Sequence, residues 1–145
     1  MSDLNSKSKI VVGVDGSENG QRALRWAIDE AALRGSVLVL MHSVQLGLSV
    51  AEPYGGGYVL DQLQEAGRLA LDEAETLAVG RGIEVERHLE TGSIAYSLVD
   101  ASKGADLLVV GSRGHGGFTG LLLGSVSTAC VHHAHCPVVV VRPSE

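Results

Sequence analysis

The sequence predicts a doubly wound α/β/α sandwich, a parallel five-stranded sheet with helices on both faces. Three observations carry this expectation. Five short apolar or alternating runs interleave with four helical patterns along the chain. One run, Val37-Leu38-Val39-Leu40-Met41, is apolar throughout, as suits a strand covered on both faces. The whole chain has 145 residues, which is a single domain at roughly 100–200 residues per domain. Parallel neighbours need crossover connections, and these run right-handed.

Each element has a local cause. Lys9-Ile10-Val11-Val12-Gly13-Val14 is β-branched and reads as the first strand. Asp15-Gly16-Ser17 is a turn, with Ser17 placed to cap the helix behind it. Ala23, Leu24, Ala27, Ile28, Ala31 and Ala32 recur at helical spacing until Gly35 stops the helix. The second strand begins at Val37, and residues 44–57, with Pro53 and Gly55-Gly56-Gly57, read as a loop. Leu60, Leu63, Ala66, Leu69, Ala70, Ala74, Leu77 and Ala78 mark a long helix that ends at Gly80 or Gly82. Ile83 to Leu89 alternates apolar and polar, the pattern of an edge strand. Ser93 opens a third helix, Asp106 to Gly111 is the fourth strand, and a fourth helix runs from about Ser125 to Ala134. Pro137 to Val141 is the fifth strand.

Composition narrows the function classes. The net charge is −6, from 11 basic and 17 acidic residues, which disfavours a nucleic-acid or anionic-membrane surface. Aromatics are 3%, too few for base-stacking platforms. No apolar run approaches the roughly 18 residues of a membrane span. The first seven residues are polar, unlike a secretory signal. Cys130 and Cys136 fit no disulfide framework. The expectation is a cytoplasmic protein with free thiols.

Glycine is the informative residue. Six of the 14 residues from Gly111 to Gly124 are Gly. This segment leaves a strand and enters a helix, where backbone N–H groups and the helix dipole favour phosphate. Ser125, Ser127 and Thr128 add hydroxyls, and Arg113 and His115 add charge. The plainer reading is a connection whose glycines only make turns. Neither a G-x-x-x-x-G-K-[ST] loop nor a G-x-G-x-x-G after the first strand is present, so a Walker NTPase and a nicotinamide dehydrogenase lack support.

The spacing Gly111-x2-Gly114-x9-Gly124-Ser125 resembles the ATP-binding pattern G-x2-G-x9-G-[ST] of the universal stress protein family. Further segments agree with that family: the strand ending at Asp15, Met41-His42-Ser43-Val44, Asp106 through Gly114, and His135-Cys136-Pro137 through Arg142. The resemblance covers about residues 8–142. It implies an adenine nucleotide alpha hydrolase-like fold with strand order 3-2-1-4-5. It implies ATP in the crevice between the first and fourth strands. Backbone groups at Gly13, Val14 and Ser43 would frame the adenine, and Asp15 would face the nucleoside or the metal. Gly111, Ser112, Arg113 and Gly114 would lie along ribose and phosphate, with His115, Gly116 and Gly117 in the same loop. Gly124, Ser125, Val126 and Ser127 would hold the phosphates, and Mg²⁺ would bridge phosphate oxygens and waters.

Other residues carry plainer readings. Asp15 is either a turn former or a ligand residue. His42 is read as a packed or hydrogen-bonded imidazole near the crevice. His132, His133, His135 and Cys136 form the densest metal-like cluster, but no second ligand group stands at zinc spacing. Cys130 is read as a core residue, and Cys136 as partly exposed. The last strand, Pro137 to Val141, lies at a sheet edge in the inferred order and invites pairing with a second copy. The family resemblance adds a homodimer formed there.

Three functional readings follow. The first is an ATP-dependent regulatory protein of stress or growth arrest, acting through an unidentified protein partner. The second is a slow ATPase, limited by the absence of a Walker lysine. The third is an interaction module with an empty crevice. A variant of the first takes another adenine nucleotide, such as AMP or cyclic AMP.

Overall fold

The computed structural model describes residues 7–45, 56–113 and 123–143. Strands β1 (Lys9–Gly13), β2 (Val37–Val44), β3 (Val85–Thr91), β4 (Leu107–Gly111) and β5 (Val138–Val141) form one sheet. Helices α1 (Glu18–Arg34), α2 (Gly56–Val79), α3 (Ile94–Ala101) and α4 (Ser125–His133) connect them. The strand order is β3-β2-β1-β4-β5, and every pairing is parallel. This is the expected architecture and the expected order.

The central strands are apolar on both faces because both faces are covered. Ile10, Val12, Leu38, Leu40 and Val109 point to one side and pack with Leu24, Ile28 and Leu71 of α1 and α2. Val11, Val39, Met41, Leu108 and Val110 point to the other side and pack with Leu98 of α3 and Cys130 of α4. Alternate side chains of one strand therefore feed two separate cores. Each fully buried Leu or Ile contributes about 1.5–3 kcal/mol.

The helix ends are set locally. The Ser17 side chain accepts from the Gly20 amide at the start of α1, and Gly35, at φ 66°, closes it by donating to the Ala31 carbonyl. Ser93 caps α3 in the same way, through the Tyr96 amide. A single 3-10 turn (Ser102–Gly104) follows α3. There the fully buried Ser102 donates to Val99 and accepts from the His135 amide. That hydroxyl ties α3 to the connection between α4 and β5.

The structure revises several boundaries. β2 includes Val44, which the loop expected over 44–57 had claimed, because Ser43 and Val44 still pair with Glu90 and Thr91. β3 accordingly spans Val85–Thr91, two residues later than the alternation suggests, and Ile83 instead packs in the core beside α2. Gly56 and Gly57 belong to α2, not to the preceding loop; the rest of that expected loop, 46–55, lies outside the described residues. The buried stripe of α2 is Leu71, Ala74 and Ala78, with Ala70 packed against it, whereas Leu63, Leu69 and Leu77 are exposed. The helical spacing of α2 fits more than one face, and only its docking on β2 and β3 selects between them. Ala32 of α1 is likewise exposed.

Candidate functional site

β1 and β4 are neighbours, yet their chains leave in opposite directions. α1 carries the chain from β1 to β2, and α4 carries it from β4 to β5, on the other face of the sheet. This divergence is the switch point where doubly wound sheets bind ligands. A crevice of about 1290 Å³ opens there. Its walls bring together the ends of β1, β2 and β4 with the N-terminus of α4 and one flank of α2 and α3.

Most of the expected site residues meet on these walls. Gly13, Val14, Asp15, Ser43, Gly111, Arg113, Gly124, Ser125, Val126 and Ser127 all line the crevice. Gly114, His115, Gly116 and Gly117 lie outside the described residues. Ser112 is 1% exposed and stands behind the wall. Its amide donates to Val141, and its carbonyl accepts from the Gly124 amide and the Ser127 hydroxyl. Ser112 therefore serves as a brace that joins β4, β5 and α4 behind the crevice wall.

The N-terminus of α4 is left open by its own sequence. Its N-cap is Gly124, which has no side chain to offer, and no side-chain cap bond closes it. The first intrahelical bond runs from Thr128 to Gly124. The amides of Ser125, Val126 and Ser127 thus precede the helical ladder and point out of the helix end. The first turn carries no acidic residue, so nothing there opposes an incoming anion. The Ser127 hydroxyl is not available as expected, because it donates to Ser112 and Gly124 carbonyls at 2.9 and 3.1 Å. Ser125 and Thr128 are exposed and line the crevice, so their hydroxyls are the side-chain donors at this helix start.

Asp15 forms the turn and also lines the crevice. Its Oδ1 accepts from the Ser17 amide and hydroxyl at 2.9 and 2.7 Å, which makes it the turn former before α1. It also faces the crevice, and it is the single carboxylate among the described lining residues. Gly20 permits this pose: a Cβ there would overlap Asp15 Oδ1. On the neighbouring wall, His42 Nδ1 lies 2.6 Å from the Val14 carbonyl. A carbonyl only accepts, so Nδ1 carries the hydrogen and the ring is held by the hydrogen bond the sequence suggests. α2 comes close to His42 because residue 67 is Gly; a Cβ there would sit 2.5 Å from His42 Cδ2. The Ser43 hydroxyl donates to the Gly92 carbonyl, which leaves the Ser43 backbone as its contribution to the crevice.

The remaining candidates separate cleanly. Cys130 is fully buried, and burial pushes its thiol up to about 11, as befits a core residue. Burial and the nearby Asp106 charge also raise the Cys136 thiol. The His132 and His133 rings are tilted at 6.2 Å beside the crevice, at the C-terminal end of α4. No group of three His, Cys, Asp or Glu residues is gathered for a metal among the described residues. Sequence reasoning missed Asn19, Gly20 and Gly67. A Gly inside a helical pattern is a signal for the latter two, but Asn19 carries none.

Comparison with known proteins agrees with this fold. A curated universal stress protein of Mycolicibacterium smegmatis is 41% identical over 140 residues, covering 92% of this chain and 47% of its own length. The chain thus spans about half the length of the curated relatives it matches. Among solved structures, universal stress protein UspA from Lactobacillus plantarum shares the fold at TM-score 0.79 and 23% identity, over 94% of this chain and 98% of that one. A universal stress protein in complex with cAMP is 28% identical at TM-score 0.67, over 93% and 96%. The pattern of the universal stress protein family matches residues 7–142. With nearly the whole domain accounted for by that match and by the shared sheet order, the chain belongs to the universal stress protein family.

Proposed function

We propose that this domain is an adenine-nucleotide-binding regulatory protein whose ligand is ATP with Mg²⁺. The observation that carries the reading is the uncapped N-terminus of α4, with Gly124 as N-cap, facing Gly111 and Asp15 across a crevice at the sheet's switch point. Such a terminus suits phosphate oxygens, and the crevice is large enough for a nucleoside triphosphate. Ser125, Val126 and Ser127 would contribute amides, and Ser125 its hydroxyl. Gly13, Val14 and Ser43 would frame the base with backbone groups. The bound Mg²⁺ would be held by phosphate oxygens and water, with Asp15 as the protein carboxylate on that wall. The cAMP complex of the 28% identical relative supports an adenine nucleotide and favours a second reading, in which the ligand is a monophosphate.

The protein would act by binding instead of turnover, in a stress or growth-arrest response in the cytoplasm, through a protein partner. The described crevice wall offers Arg113 and imidazoles but no lysine, so hydrolysis, if present, is slow. The domain would form a homodimer through β5. That edge strand, Val138–Val141, carries no charge, whereas the opposite edge strand β3 carries Glu86, Arg87, His88 and Glu90. Charged edges resist pairing and apolar ones invite it. A monomer mass by light scattering at micromolar protein would overturn the dimer.

Calorimetric titration with ATP, AMP and cyclic AMP, each with Mg²⁺, tests the ligand. Tighter binding of ATP than of AMP supports the triphosphate reading. Tighter binding of a monophosphate replaces it with the second. Binding of none removes the nucleotide site.

A further inference from the structure

The ladder between β1 and β2 stops one bond short of where its register would carry it. It starts with the Val37 amide on the Ser8 carbonyl and ends with the Val14 amide on the Met41 carbonyl. Between them the register is unbroken, from Lys9 opposite Val37 to Gly13 opposite Met41. The next step of a parallel ladder in this register would place the Ser43 amide on the Val14 carbonyl. That bond is not formed among the described residues. The Val14 carbonyl is taken instead by His42 Nδ1, at 2.6 Å. The imidazole thus holds the acceptor that the Ser43 amide would use. Ser43 lines the crevice, and its N–H is left there with no backbone partner among the described residues. Two neighbours suit this arrangement. Residue 67 of α2 is Gly, and a Cβ there would stand 2.5 Å from His42 Cδ2 and 2.8 Å from Nε2. The Ser43 hydroxyl donates to the Gly92 carbonyl, so it does not compete for Val14.

We propose that His42 is a positioning residue that keeps the Ser43 amide open as a donor for the base end of the ligand. β2 and β4 flank β1, so Ser43 lies two strand spacings, about 10 Å, from the wall that carries the open start of α4. With phosphate oxygens on the α4 amides, the end of a nucleotide that reaches Ser43 is its base, whose ring nitrogens accept hydrogen bonds. This inference rests on the nucleotide-binding reading given above.

Two readouts separate this role from plain packing: hydrogen exchange of the Ser43 amide by NMR in the ligand-free protein, and calorimetric titration with Mg-ATP. Wild type, His42→Leu, His42→Asn and Gly67→Ala are compared. His42→Leu removes the donor, so the Val14 carbonyl takes the Ser43 amide and the ladder gains its missing bond. Exchange at Ser43 should then slow by about tenfold or more, and Mg-ATP affinity should fall by about tenfold. Loss of a residue that merely packs would speed exchange instead. His42→Asn keeps an N–H at the position of Nδ1 and should leave both readouts within about threefold of wild type. Gly67→Ala drives the ring away from Val14, so it should repeat the His42→Leu result and carries the test if His42→Leu does not fold. Ser43 exchange that is unchanged or faster in both variants overturns the inference and leaves the nucleotide site standing. Slowed exchange with unchanged affinity does the same. A wild-type protein that binds no adenine nucleotide overturns the nucleotide reading, and with it the ligand assigned to Ser43, whatever the exchange shows.

Discussion

Two helix N-termini border the crevice at the switch point, and they are built in opposite ways. α1 begins closed. Asp15 accepts from Ser17, Ser17 accepts from Gly20, and Glu18 adds a negative charge to the first turn. α4 begins open, with Gly124 as N-cap, no side-chain cap and no acidic residue in its first turn. Both follow central strands, and both border the same crevice. The contrast shows how one fold closes one terminus with its own side chains and leaves the other open. A helix start satisfied by its own side chains has nothing left to offer a ligand.

The strongest way to break the contrast is to close α4. Gly124→Asp places a capping carboxylate where phosphate would sit. Helix stability should rise by a few tenths of a kcal/mol, while nucleotide affinity should fall at least about 100-fold, or about 2.8 kcal/mol. A urea melt and a titration with Mg-ATP read the two effects separately. Unchanged affinity would mean that the open terminus is not the phosphate site.

A milder change tests the cradle's side chain. Ser125→Ala should cost about 1–3 kcal/mol of binding, the range for a hydrogen bond to a charged group, with little change in the melt. Equal affinity in wild type and variant would show that the hydroxyl serves the helix alone.

The converse experiment opens α1. Ser17→Ala removes the cap and should lower unfolding stability by about 0.5–2 kcal/mol. The loss should appear in the urea midpoint before it appears in any ligand affinity. If binding falls and stability does not, the two termini share a role and the contrast dissolves.

The smallest expected effect sharpens the picture of Asp15. Ala in place of Gly in a helix adds up to about 1 kcal/mol. Gly20→Ala should fail to gain it, because the new methyl group displaces Asp15. In an Asp15→Ala background the same change should recover the gain. Equal gains in both backgrounds, by thermal melting, would show that Asp15 moves aside at no cost.

Legibility in the sequence followed the range of each interaction. The Gly111-x2-Gly114-x9-Gly124-Ser125 spacing marked the open terminus, because a loop and the helix it enters are contiguous in the chain. The fates of Ser112 and Ser127 were not legible. Both are small polar residues inside the motif, yet one braces β4 against β5 and α4, and the other donates to the first. The leucines of α2 were ambiguous for a related reason. Leu63, Leu69 and Leu71 are equally apolar, and the surface against which the helix docks lies elsewhere in the chain.

The sequence by itself determined the order of strands and helices and three helix ends: Ser17, Ser93 and Gly35 act within a few residues of themselves, and apolar periodicity records which segments need cover. Tertiary structure alone decided that Asn19 meets Arg113, that Gly67 gives room to His42, and that Leu71 instead of Leu69 enters the core. Local bonds leave a pattern along the chain, whereas contacts across the sheet depend on which surfaces the completed fold brings within hydrogen-bond or van der Waals reach.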